Sequence, residues 1–269
     1  MYVAARGCTR AGRLVNYRRI FKSELKPAAA SKLVPPEGGC GIGGPSNPLN
    51  VFVRLPRTQL SERDTALCEP ILDSMKAAAY ILKRNGIEVR FVTGTTVVSR
   101  DEQLSRMSKG DGAIAFRDKR LAALEKAHVM LQLYSDDSLS VSGGVERGYY
   151  YALLNMGSEL GPCMTKNILE QLGRPMQPMQ GGCFLTVYMG GKGPDSSLYK
   201  LHPAKEQEVI VIDRGDGSIA TAEEIDKTLP NADISTMCDL TGVFVSKFIR
   251  IAQKLETRYD CDSCLRPTP

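Results

Sequence analysis

From residue 51 onward the apolar positions alternate between two periods. Val51–Leu55 is a short apolar run and reads as a buried strand. Leu67, Ile71, Met75, Ala78 and Leu82 then recur at three- and four-residue spacing, the stripe of a helix with one buried face. Asn85-Gly86 supplies its stop. Ile87–Thr93 alternates as a strand. After a long loop from Gly94, Leu121, Leu124 and Ala127 line a second helix, and Val129–Tyr134 is the next strand. Val145–Leu153, aromatic and β-branched at its start, is expected as a further strand. Leu160, Met164, Ile168 and Leu172 mark a third helix, and Phe184–Met189 and Glu208–Asp213 two more strands. Phe244, Phe248, Ile251 and Leu255 mark a final helix, with Arg250 and Lys254 suited to its negative end.

Strands alternating with helices in this way predict an α/β fold: a single domain with a largely parallel sheet flanked by helices on both faces. No internal repeat is visible. The domain is expected over 51–257, followed by a C-terminal tail over 258–269. Before it, residues 27–50 read as a Gly/Pro-rich linker, with Pro27, Pro35, Pro36, Pro45 and Pro48 around Gly38, Gly39, Gly41, Gly43 and Gly44. Gly39, Gly41 and Gly44 spell Gly-x-Gly-x-x-Gly. A nucleotide-binding turn needs a strand before that motif and a helix after it. Here Pro35-Pro36 precedes and Pro45 follows, which favours a linker.

Charge sharpens the organisation. Of 35 basic and 30 acidic residues, eight and two fall within the first fifty, leaving 27 against 28 for the rest. The excess is concentrated in residues 1–26. Arg6, Arg10, Arg13, Arg18, Arg19 and Lys22 precede the first acid, Glu24, and Leu14, Tyr17, Ile20 and Phe21 are interspersed. An Arg-rich, acid-poor leader of this kind predicts mitochondrial targeting. The near-neutral body shows no basic nucleic-acid face in the sequence, although charge balance leaves the distribution over a folded surface open. No run approaches the length of a membrane span, and two histidines, His128 and His202, exclude a three-imidazole site.

The remaining motifs carry little chemistry. Among eight cysteines only Cys261 and Cys264 are close, with no second pair to complete a zinc ribbon. Reduced thiols in a tail are favoured over a structural disulfide or a metal site shared with a partner. The acidic pairs Asp136-Asp137 and Glu223-Glu224 read as solvated charges. Asp136 and Asp137 follow the carboxyl end of a strand, where open α/β sheets bind ligands. Ser142 and Ser158 have no identifiable triad partners. Arg214-Gly215-Asp216 reads as a turn. Tyr149-Tyr150-Tyr151 and Met176/Met179 read as strand core and loop in preference to interface material.

Taken in order, several segments resemble the zinc-dependent N-acetylmuramoyl-L-alanine amidases. Asn85–Thr93 is similar to the family's Gly-hydrophobic-x-Val strand, and Arg120 with Leu124 and Ala127 to the helix before its central strand. Val129–Asp136 is similar to that central strand, and Gly144–Tyr151 to its Gly-x-Glu-x-Tyr-Tyr segment. Leu198–Leu201 followed by Val209–Gly215 resembles its later strand, with a weaker match of Asp216–Glu224 to the turn beyond. The resemblance covers about residues 51–257. It implies two His and one Glu as zinc ligands and a second Glu as general base. The chain departs from that pattern. Tyr134 stands at the second ligand His, and Leu55-Pro56-Arg57-Thr58 where the first is expected. Glu69 lies near the ligand Glu, although the spacing from Gly86 puts that position nearer Leu67. Asp213 stands at the catalytic Glu.

The resemblance therefore implies an amidase-like fold that has lost its chemistry. No catalytic, cofactor-binding or metal residue is assigned and no cofactor is expected. The expectation is a pseudoenzyme, a structural subunit of a mitochondrial assembly such as the ribosome or a respiratory or ATP-synthase complex. Its partners would be the other protein subunits, with rRNA contact through the basic N-terminal segment and no transmembrane segment. The alternatives are an amidase-like hydrolase working through Asp136, Asp213 and Glu69, and a binding module that keeps a ligand groove without turnover.

Overall fold

The computed structural model describes residues 42–45, 47–55, 62–93, 112–134, 143–154, 182–189, 207–215 and 232–257. In chain order these form β1 (Leu49–Arg54), α1 (Glu62–Arg84), β2 (Val89–Phe91), α2 (Gly112–Leu124), β3 (Val129–Tyr134), α3 (143–154), β4 (Cys183–Tyr188), β5 (Gln207–Asp213), β6 (Ala232–Thr236) and α4 (Leu240–Thr257). The six strands make one sheet of order β2-β1-β3-β4-β5-β6, every pair parallel.

Such a sheet must bury both faces, and its strands alternate between two cores. Leu49, Val51 and Val53 of β1, Val129, Leu131 and Leu133 of β3, and Ile210 and Ile212 of β5 pack beneath α1 and α4. Phe52, Met130 and Phe184 face the other way, against Leu124 of α2 and Tyr150, Leu153 and Leu154 of α3. The chain winds outward from β1 to β2 and then back across to β3. Right-handed crossovers place the connecting helices on opposite faces when the winding direction reverses.

Local chemistry sets the boundaries. The α1 helix ends in a Schellman turn: Ile87 N–H donates to Leu82 O at 3.0 Å and Gly86 N–H to Lys83 O at 3.2 Å. Gly86 takes the left-handed conformation this requires, at φ 83°. Phe244, Phe248, Ile251 and Leu255 form the buried stripe of α4, as their spacing predicts.

Three expectations change. The segment 145–153, expected as a strand, lies within helix α3. Its β-branched Val145 is exposed, whereas Arg147, Tyr150 and Leu154 recur on the buried side at helical spacing. Tyr150 stands edge-on to Phe184, centroids 5.1 Å apart, and donates its hydroxyl to Ala127 O at 3.2 Å. Strand β6, Ala232–Thr236, is an addition to the expected elements, since a half-exposed edge strand carries no apolar alternation strong enough to read. The last part of the expected linker is built into the domain: Ile42 is buried in the core, Gly43 N–H donates to Asn47 O, and Glu88 N–H donates to Gly43 O. This turn sits at the amino end of β1, away from the carboxyl ends where phosphate-binding turns lie. The leader 1–26, the helix expected over 160–172 and the tail with Cys261 and Cys264 fall outside the described residues. Among the described residues no helix is long and apolar enough to cross a membrane.

Candidate functional site

Between β1 and β3 the strand order reverses, and in open α/β sheets the crevice at the carboxyl ends of the strands there is where ligands bind. The side chains on the α2/α3 face change character toward that end. Phe52, Met130 and Phe184 form an apolar row across β1, β3 and β4. The next row is Arg54, Gln132 and Thr186, all buried. Beyond it come Tyr134 and Tyr188, stacked at 5.7 Å with 25° between the rings.

An ion triad completes the polar row. Glu146, on the first described turn of α3, receives a two-pronged contact from Arg120 of α2: Nε donates to Oε1 in a short hydrogen bond and Nη2 to Oε2 at 3.1 Å. Arg54 Nε lies 3.6 Å from Glu146 Oε2. The Arg120 guanidinium is also held over the rings of Phe52, at 4.7 Å, and Phe116, at 5.7 Å. All three charged side chains are about nine-tenths buried. Gln132 donates through Nε2 to Thr186 Oγ1 at 2.8 Å, while its Oε1 is buried with no hydrogen-bond partner among the described residues. An unmade hydrogen bond inside a sheet is costly, so this oxygen marks a place where a donor is missing.

Among the described residues, those singled out by the sequence are not brought together. Tyr134 is buried under its stack with Tyr188. Asp213 is exposed at the end of β5, and its Oδ1 accepts from Gly215 N at 2.7 Å in a turn where Gly215 has φ 69°. Glu69 is exposed on α1, which covers the opposite face from Tyr134 and Asp213. Leu55 is buried core. Asp136, Asp137, His202, Glu223 and Glu224 lie outside the described residues. His128 is structural. Its Nδ1 accepts from the Asn50 backbone N–H at 3.0 Å, and the His128 backbone N–H donates to Asn50 O at 2.8 Å, tying the amino ends of β1 and β3. Burial lowers its pKa to about 4 against a smaller opposing effect of a hydrogen bond to the Pro48 backbone.

The sequence reading missed Arg54, Gln132 and Thr186 as site residues, and saw Arg120 and Glu146 only as parts of a resemblance. The available signal was polarity inside otherwise apolar strands: Gln132 within Val129–Tyr134 and Arg54 closing Leu49–Arg54. A buried polar residue says more than an apolar one in the same place. No family model matches the chain, and no curated protein matches it.

Proposed function

We propose that this chain carries a small-molecule-binding α/β domain whose ligand sits at the β1/β3 switch point, beside Glu146. The observation that carries this reading is the Arg54–Glu146–Arg120 triad, buried at the carboxyl ends of the strands next to Gln132. The Glu146 carboxylate is already engaged by Arg120 and Arg54, and the buried acceptor of this row that lacks a donor among the described residues is Gln132 Oε1. That oxygen selects a group that donates, so the ligand class is a small molecule bearing hydroxyl or amine groups. The test is mass spectrometry of small molecules retained by the purified full chain and by Glu146→Gln. A hydroxyl- or amine-bearing compound held by the first and lost from the second supports the reading. The same retained set in both, or no retention and no melting shift across a metabolite panel, overturns it.

A second reading is a non-catalytic structural subunit of a large mitochondrial assembly, the ribosome or a respiratory or ATP-synthase complex. Tyr134 favours it. On the amidase resemblance this residue stands where a zinc ligand belongs, and it is spent on a buried stack with Tyr188. The basic residues 1–26 add an address and a surface for rRNA. Native sizing of the endogenous protein decides: migration in a megadalton mitochondrial particle supports this reading, and migration as a free chain removes it. An amidase-like hydrolase would instead show stoichiometric zinc and release of the acyl group from a cell-wall-type amide.

A further inference from the structure

The triad depends on an unusual crossing. The Arg54 guanidinium, coming from β1, lies against the backbone of Gly143, the first described residue of α3. A Cβ built on Gly143 would stand 1.5 Å from Arg54 Nη2, 2.0 Å from Cζ and 2.6 Å from Nε, so any side chain there would occupy the space the guanidinium holds. Gly143 is buried, and its neighbour Gly144, exposed, has nothing within 4 Å of an added Cβ. Gly143 does not have a left-handed φ, so conformation makes no demand for glycine there. Space does.

We propose that Gly143 is a positioning residue of the Glu146 site: its missing side chain lets Arg54 cross the start of α3 and reach the carboxylate one turn on. Arg120 grips Glu146 from α2, Arg54 from β1, and the two grips from different elements hold the carboxylate in one place. With a side chain at 143 the Arg54 guanidinium is displaced and Glu146 keeps Arg120 alone. This role rests on the switch point being the ligand site. The crossing itself is tested without ligand, so either can fail independently.

The test is a double-mutant cycle between Gly143→Ala and Arg54→Ala in the full chain, read by melting temperature, with ¹⁵N–¹H spectra of the arginine Nε–H groups. Alanine is the better helix former. Where Arg54 is absent, Gly143→Ala should therefore raise the melting temperature or leave it unchanged. Where Arg54 is present, the same substitution should lower it by several degrees and move the Arg54 Nε–H signal while leaving that of Arg120. A Gly143→Ala chain that folds only with Arg54→Ala gives the same support. Equal losses in both backgrounds, or an unmoved Arg54 signal in Gly143→Ala, would overturn the proposal. If Arg54→Ala does not fold, the Arg54 signal in Gly143→Ala decides alone. For the ligand role, the compound retained by the wild-type chain should be lost from Gly143→Ala.

Discussion

Lys247 of α4 is fully buried and donates to Glu208 of β5 across the helix–sheet boundary, Nζ to Oε2 at 2.9 Å. Lys247 also lies 2.8 Å from Asp233 of β6, and Glu208 receives Lys254 at 2.6 Å and Arg250 besides. Positions 247, 250 and 254 share one face of α4, so this network fixes the helix against the amino ends of the last two strands.

Breaking that pair should cost far more than replacing it. Glu208→Ala leaves the Lys247 ammonium buried with only part of its partnership and should lower stability by about 3–5 kcal/mol. Glu208→Leu combined with Lys247→Met should recover much of the loss, because desolvation of both charges is removed together. Urea unfolding of the single and double variants measures this. Equal losses would show that the ions contribute net stability.

Acid should weaken the fold in two stages. The His128 pKa is about 4 in the folded chain against 6.5 when unfolded. The unfolded chain then binds more protons below 6.5, so stability is full above that pH and falls as pH drops toward 4, by about 3 kcal/mol. Glu208 adds a second loss. Burial raises its pKa, but the hydrogen bonds from Lys254 and Lys247 and the charges of Lys247 and Arg250 prevail, holding it below the usual carboxylate value. Its contribution is present above about 4.5 and is lost at lower pH. Unfolding curves of His128→Gln should be flatter between pH 6.5 and 4 than those of the wild type.

Glu146→Gln keeps the shape of the site and removes the charge between Arg54 and Arg120. It should cost about 3 kcal/mol, since two buried guanidiniums lose their shared carboxylate. Arg120→Lys should also weaken the site, because an ammonium cannot reproduce the two-pronged contact or the stacking on Phe52. Denaturant midpoints and the retained-ligand assay read both.

Gly182 is required by packing. A Cβ there would stand 2.4 Å from the Tyr150 hydroxyl and 2.8 Å from Leu154 Cδ2. Gly182→Ala should cost about 1–3 kcal/mol. Tyr150→Phe in the same chain should relieve part of that loss by removing the nearest atom, giving a non-additive pair in chemical denaturation.

The sequence by itself determined the α/β class, five of the six strands in their approximate places, and the helices at Leu67–Leu82 and Phe244–Leu255. Apolar periodicity records which residues must leave water, and that requirement is local. It misread 145–153 because Val and Tyr favour strands, whereas the packing of Tyr150 on Phe184, a contact between residues 34 apart, selects the helix. It could not order the strands, which depends on partners distant in the chain. The candidate site depended most on tertiary structure. Arg54, Arg120 and Glu146 lie on three elements, far apart in the chain, and nothing in their local sequence links them. Only folding brings them together, at the point where the sheet reverses its winding, and burial turns three separate charges into one coupled group.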